Sequence, residues 1–252
     1  ASHRSATMLF PVLVSATEDD RLLDPIADVL ARRPWWGGGY LVSLVSNGKA
    51  TDNIVALFKR LTKKRVGVTT EATMLLTNRL VTESRYAEAF EINRIHHPET
   101  RAGVLQNSGF DRNILPAFDW ILRDAPNLRS ERVSGSNGTI ALGFYVAAGS
   151  TGSVARQLVV LRSGTYGIGG VVTFDEQSEN GEVEIRVTCA KPIAPATMET
   201  STSLVARKTD GARTFNVPPK NCPAVWVDIV VNAANSATAI DGEIDTIELT
   251  KA

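Results

Sequence analysis

Five side chains in the second half of the chain have the types and spacing that suit a polyhydroxylated ligand. Tyr145, Glu184, Arg186, Trp226 and Asp228 each alternate with Val, Ile, Leu or Phe neighbours. Successive residues of a β-strand point to opposite faces. If the aliphatic parity faces a core, these five face outward. An aromatic ring stacks on the C–H surface of a sugar, and carboxylates and guanidinium groups bond its hydroxyls. A binding cleft needs such an apolar lining with a few aimed polar groups. The five are therefore expected on the outward face of one sheet, as ligand residues for an oligosaccharide or polysaccharide. The competing expectation is a face that packs against the rest of the chain and buries Trp226 there.

No catalytic set is legible. Asp175, Glu176, Glu179, Glu182 and Glu184 bring carboxylates together, and a glycosidase needs two across a cleft. They cluster around Asn180-Gly181, however, a hairpin-turn pair, so a solvated loop is expected. The histidines are His3, His96 and His97, none of them in the second half. A Gly-x-Ser-x-Gly elbow is missing, Asn47-Gly48-Lys49 lacks the first glycine of a phosphate loop, and Gly164 to Gly170 opens no helix. The chain is read as a non-enzyme. Cys189 and Cys222 have no histidine at ligand spacing and cannot make a zinc site. They are two buried thiols or one disulfide. The disulfide is the expectation, and it implies an oxidising compartment such as the periplasm.

Two kinds of element must position these residues. Before residue 100 apolar residues recur at helical spacing; after it they alternate. Helices are predicted over Glu18–Arg33, with Thr17 as cap and Pro34 as stop, over Tyr40–Val45, and over Thr51–Lys63. A hairpin comes next, Glu71–Thr82 capped by Thr70 and then Tyr86–Ile95. Trp35-Trp36 lies in a turn and is expected to pack the first helix on its neighbour. Strands are predicted through Ile140–Val146, Tyr166–Phe174, Val183–Cys189, Phe215–Val217, Ala224–Val231 and Ile244–Leu249. Many short strands between Gly, Ser, Asn and Pro clusters mark a sandwich or barrel. The fold class is thus α+β with two domains: residues 1–100 helical hairpins, 101–252 an antiparallel β-sandwich.

The 252 residues carry 27 basic and 27 acidic side chains, with 43% apolar residues. Zero net charge argues against a nucleic-acid partner. No run of about 18 apolar residues is present to span a membrane, and the first residues lack the pattern of a secretory signal.

Tyr86-Ala87-Glu88-Ala89-Phe90 resembles the second-helix start of tetratricopeptide repeats. Leu105-Gln106-Asn107-Ser108-Gly109-Phe110-Asp111, followed by Phe118-Asp119-Trp120, resembles the opening of jelly-roll carbohydrate-binding modules. Ile244-Asp245-Thr246-Ile247-Glu248-Leu249 resembles their last strand, with one Asp where two are usual. With Cys222-Pro223-Ala224-Val225-Trp226, the chain from about residue 70 to 250 is similar to bacterial envelope proteins that join helix hairpins to such a domain, some tied to export of surface polysaccharide. The resemblance implies a jelly-roll sandwich that binds a glycan, and a helical part that docks a protein partner or more repeats. No cofactor is implied beyond a structural calcium: similar modules carry one, and Asp111 and Asp245 are the candidate ligands, since hard cations take carboxylates and backbone carbonyls. Phe110 and Trp120 are expected as core anchors. The alternatives are a structural or assembly protein with no sugar site, and a hydrolase or lyase on a jelly-roll frame.

Overall fold

The computed structural model describes residues 3–112, 115–135, 138–175, 178, 182–190, 199–204, 213–218 and 222–252. Asn180 and Gly181, expected to form a turn, and Glu176 and Glu179 lie outside them. The chain divides into two compact units, Ala1–Glu99 and Thr100–Ala252.

Among its described residues the first unit holds six α-helices: α1 (His3–Ala16), α2 (Leu23–Ala31), α3 (Gly37–Asn47), α4 (Thr51–Lys63), α5 (Thr70–Thr82) and α6 (Tyr86–Asn93). They form two layers. α1 packs on α3 and α3 on α5, while α2 packs on α4 and α4 on α6. α4 shows why: Ile54, Leu57, Phe58 and Leu61 recur at helical spacing and are buried, each contributing about 1.5–3 kcal/mol. Polar bonds cross between hairpins. Tyr40 meets Thr17 at 2.5 Å, and Arg60 on α4 and Lys64 at its C-cap bond Asp24 and Asp28 on α2.

Three sequence expectations shift here. α1 is a helix that the sequence pattern did not predict: Pro11 interrupts it and its first turn carries no acidic residue. The predicted Glu18–Arg33 helix is a 3-10 turn over Asp20–Leu22 followed by α2, and Asp19, not Thr17, caps the turn. Thr17 instead closes α1, its hydroxyl donating to the Leu13 carbonyl. α5 is capped by Thr69, whose Oγ1 accepts from the Ala72 amide, one residue ahead of the predicted Thr70.

The second unit is a sandwich of two antiparallel sheets. The strands are β1 (Ile121–Leu122), β2 (Asp124–Ala125), β3 (Leu128–Ser134), β4 (Ile140–Val146), β5 (Thr151–Val159), β6 (Gly164–Phe174), β7 (Glu182–Cys189), β8 (Glu199–Leu204), β9 (Arg213–Val217), β10 (Val225–Asn232) and β11 (Ile240–Lys251). Sheet A has the order β1-β5-β10-β7-β8, and sheet B the order β2-β3-β4-β11-β6-β9. From β4 onward the chain passes from sheet to sheet at nearly every connection, the jelly-roll habit. Val183, Ile185 and Val187 of β7 and Val225, Val227, Ile229 and Val231 of β10 face Leu142, Phe144, Ile168 and Ile244 in one core.

Residues 105–112 and 115–120 pack at the end of the sandwich near β1. Phe110 and Trp120 are buried with ring centroids 5.4 Å apart. The Trp120 indole donates to the Asn107 carbonyl, and the buried Asp119 carboxylate accepts from Asn107 Nδ2, the Trp120 amide and Arg132. A disulfide joins Cys189, at the end of β7, to Cys222, with Cα atoms 5.4 Å apart.

Candidate functional site

Four of the five sequence-predicted ligand residues meet on the outward face of sheet A. Asp228 stands in register between Arg186 on β7 and Arg156 on β5, and Trp226 between Thr188 and Leu158. Glu184 lies one outward step from Arg186, and its Oε2 is 3.2 Å from the Arg186 guanidinium. The Asp228 carboxylate accepts from the Ser153 hydroxyl at 2.9 Å and lies 3.6 Å from Arg156 Nε. Arg156 was not singled out by sequence, and it changes what Trp226 can do. Its guanidinium carbon sits 3.9 Å above the centre of the Trp226 ring. A cation over an aromatic face is attracted by the ring quadrupole, and here it covers the surface that a sugar would need. Arg156 Nε is buried without a hydrogen-bond partner, so the stack and the Asp228 charge hold the group in place. Arg156 with Asp228, and Arg186 with Glu184, form ion pairs on this face.

Tyr145 does not belong to that face. It lies on β4, in sheet B, the other layer of the sandwich. Strand parity says that Tyr145 points outward but not from which sheet, so the single five-residue site is corrected to two separate surfaces.

Around Tyr145, sheet B forms a groove of about 210 Å³. Register builds it in two rows. In the first, Tyr145 stands between Arg129 of β3 and Asp241 of β11. In the second, Gly143 stands between Glu131 and Glu243. Gly143 carries no side chain over the sheet; a Cβ there would meet the Val133 methyls at 2.9 Å. The Val133 side chain therefore fills the centre of the row, with a carboxylate on each side. Tyr145 is 37% exposed, enough to offer its ring. Asp175 closes one end, its amide donating to the Asp241 carbonyl. Burial, and then the neighbouring Asp175 charge, hold the Asp241 carboxyl above the ordinary aspartate range.

Arg129, Glu131, Asp241 and Glu243 escaped the sequence reading for identifiable reasons. β3, Leu-Arg-Ser-Glu-Arg-Val-Ser, has too few apolar residues to show a parity. β11 begins at Ile240, ahead of the predicted Ile244, and its pairing with β6 shifts between Ile244 and Thr246. Such a bulge reverses the parity of the residues beyond it, which hid the alternation Ile240-Asp241-Gly242-Glu243-Ile244.

The proposed calcium ligands are set apart in character. Asp111 is exposed in the loop after Phe110, whereas Asp245 sits at the β11 bulge with Oδ1 buried and without a hydrogen-bond partner. Calcium takes about six to eight oxygens, several of them carboxylates. Among the described residues no group of three or more His, Cys, Asp or Glu side chains converges in a metal-holding arrangement. An ion held by Asp111 and Asp245 would take backbone carbonyls as well, and no chemistry is routed through it.

No protein-family model and no curated protein matches the chain. Solved structures do, among them carbohydrate-binding modules and hydrolases that include a GH51 α-L-arabinofuranosidase. One is TmCBM61 in complex with β-1,4-galactotriose, at 14% identity and a TM-score of 0.40, covering 61% of this chain and all of that one (100%). Another is the CBM22-1 xylan-binding domain of Paenibacillus barcinonensis Xyn10C, at 13% identity and a TM-score of 0.40, covering 60% and 97%. A third is the CBM22-1–GH10 part of Clostridium thermocellum xylanase 10B complexed with xylohexaose, at 14% identity and a TM-score of 0.41, covering 59% and 28%. The class that the chain's own fold defines is an α+β protein, helix hairpins followed by a jelly-roll sandwich.

Proposed function

We propose that the β unit is a non-enzymatic glycan-binding module whose site is the Tyr145 groove of sheet B. The observation that carries this reading is the first register row: an exposed aromatic ring flanked by a guanidinium on one side and a carboxylate on the other. The ring stacks on a sugar face, and Arg129, Glu131, Asp241 and Glu243 bond hydroxyls. Four carboxylates outweigh the one arginine, so the groove takes neutral glycans in preference to uronic or sulfated ones.

The test is a glycan array followed by calorimetric titration of the best neutral oligosaccharide. Tyr145→Ala and Arg129→Ala lower affinity at least tenfold, and Trp226→Ala leaves it within about twofold. Loss of binding in Trp226→Ala alone moves the site to sheet A. Absence of binding to every glycan favours the second reading, a structural or assembly protein. One observation supports that reading: Trp226 is engaged by Arg156 within the fold itself.

The helical unit is the docking platform in this proposal, because stacked helix hairpins present extended surfaces to protein partners. The disulfide supports an oxidising, periplasmic or envelope setting, where a neutral surface polysaccharide is the ligand at hand. Among the described residues no helix is long and apolar enough to cross a membrane. Subcellular fractionation with thiol labelling checks the placement: an oxidised Cys189–Cys222 pair outside the cytoplasm is expected.

A further inference from the structure

Sheet B turns most of its aromatic side chains inward. Phe144, Tyr166, Phe174 and Phe215 lie in the core between the sheets. Among the described residues of its strands, Tyr145 is the aromatic that faces out. A glycan laid on this face therefore meets a single stacking platform. Neighbouring strands are about 4.7–4.9 Å apart, so the row from Arg129 through Tyr145 to Asp241 spans about 10 Å. Sites that enclose a drug-sized ligand hold about 300–1,000 Å³, and this groove holds about 210 Å³. Its size suits one ring over Tyr145 and not a run of rings.

The two ends of the row differ. Beyond Asp241 the chain leaving β6 forms a wall. The Asp175 amide donates to the Asp241 carbonyl at 3.1 Å, the Ser178 amide to the Asp175 carbonyl at 2.8 Å, and the Asp241 amide to the Ser178 hydroxyl oxygen at 3.0 Å. Ser178 is buried. These bonds fix Asp175 across the end of the row. Beyond Arg129 lies its partner Asp124, exposed on the two-residue edge strand β2, and the row runs out there. Along one side Val133 lies over Gly143 and fills the next row. The groove is thus closed at the Asp175 end and open at the Arg129 end.

The closed end also has a chemical demand. A carboxylate accepts hydrogen bonds and donates none, so Asp175 and Asp241 call for a hydroxyl. Inside a glycan the oxygen that leads to the next ring is an ether without a proton, and the next ring would run into Asp175. A terminal ring carries a hydroxyl at that place. We infer that the Tyr145 groove takes the terminal ring of a neutral glycan, its end hydroxyl against Asp175 and Asp241, with the rest of the chain leaving past Arg129. The inference rests on the reading of that groove as a glycan site.

The test is calorimetric titration of the full chain with gluco-, galacto- and xylo-oligosaccharides, each from the monosaccharide to the hexasaccharide. Expected is an affinity that levels off by the disaccharide and changes no more than about twofold beyond it. Two blocked trisaccharides separate the ends: borohydride opens the reducing ring of one, and O-methylation caps the ring at the opposite end of the other. A lost hydrogen bond to a charged group costs about ten- to hundredfold in affinity. One blocked form is therefore expected to bind at least tenfold more weakly, the other within about twofold of the parent sugar, and Asp175→Ala narrows that difference. An affinity that climbs tenfold or more from disaccharide to hexasaccharide, or full binding by both blocked forms, overturns the terminal-ring inference; if Tyr145→Ala abolishes that binding, the groove remains a glycan site. A chain that binds none of these sugars and no glycan of the array overturns both readings.

Discussion

Removal of the Cys189–Cys222 bond by the double change to Ala has a magnitude set by chain connectivity. The bond closes a loop of 33 residues in sequence separation, which contains β8 and β9. These strands lie in different sheets, so the excursion leaves β7, adds a strand to the edge of sheet A, crosses to sheet B and returns to β10. Constraining the unfolded chain over such a loop stabilises the fold by about 3.7 kcal/mol at 25 °C. Both cysteines are buried, at 7% and 5% exposure, and the smaller Ala side chains leave little unsatisfied. For a unit of about 150 residues each kcal/mol moves the midpoint by about 2–4 °C, which gives a drop of roughly 7–15 °C. Differential scanning calorimetry of the whole chain reads it as a shift of the β-unit transition with the helical-unit transition unchanged. Reductant added to the parent chain reproduces the shift, and added to the double variant it has no effect. A shift below about 2 °C refutes the reasoning: the unfolded excursion is then already compact, or the Ala190–Ala224 backbone bond and the β7–β10 ladder hold the junction without the bond.

Asp241 makes the β unit sensitive to pH. Its folded carboxyl titrates above the unfolded one, so its stabilising contribution is full below the unfolded value and is lost as pH rises through the folded one. Urea melts of Asp241→Asn are expected to lose that pH dependence and to exceed the parent in stability at neutral pH. His96 behaves in the opposite sense. Burial, and then His97, hold its ring below the ordinary histidine range, so its contribution is present above that range and is lost on acidification. His96→Gln is expected to flatten the decline of helical-unit stability below neutral pH, read by circular dichroism. Arg132→Met leaves the Asp119 carboxylate buried and short of its charged partner. Removal of one member of a buried pair costs about 3–5 kcal/mol; Asp119 keeps its bonds to Asn107 and Trp120, so chemical denaturation is expected to show the lower end. A Cβ at Gly242 would lie 2.6 Å from the Thr173 carbonyl oxygen and 2.8 Å from the Phe144 ring. Gly242→Ala is therefore expected to cost about 1–3 kcal/mol and to widen the resonances of the neighbouring groove residues.

Local chemistry was legible in the sequence. The helical spacing of Ile54, Leu57, Phe58 and Leu61, and the alternation of Val183–Cys189 and Val225–Val231, need only the geometry of a single element, and the buried side chains obey them. Burial of Phe110 and Trp120 was legible for the same reason: large rings beside a strand start have few other places to go. Which strands become neighbours was not legible, because pairing joins residues far apart in the chain. Asp228 finds Arg156 across 72 positions, and Tyr145 meets Arg129 and Asp241 only through the order β3-β4-β11. Alternation fixes a side chain's parity but not the sheet that its strand joins, and a single bulge at Asp245 reverses the parity of the residues C-terminal to it. The sequence by itself determined a helical first part, a strand-rich second part without all of its elements, and an outward parity for Tyr145 and Trp226. Tertiary structure alone decided that the two aromatics lie on opposite layers, because the chain changes sheets between β4 and β5, and that one ring is covered by a guanidinium while the other faces an open groove.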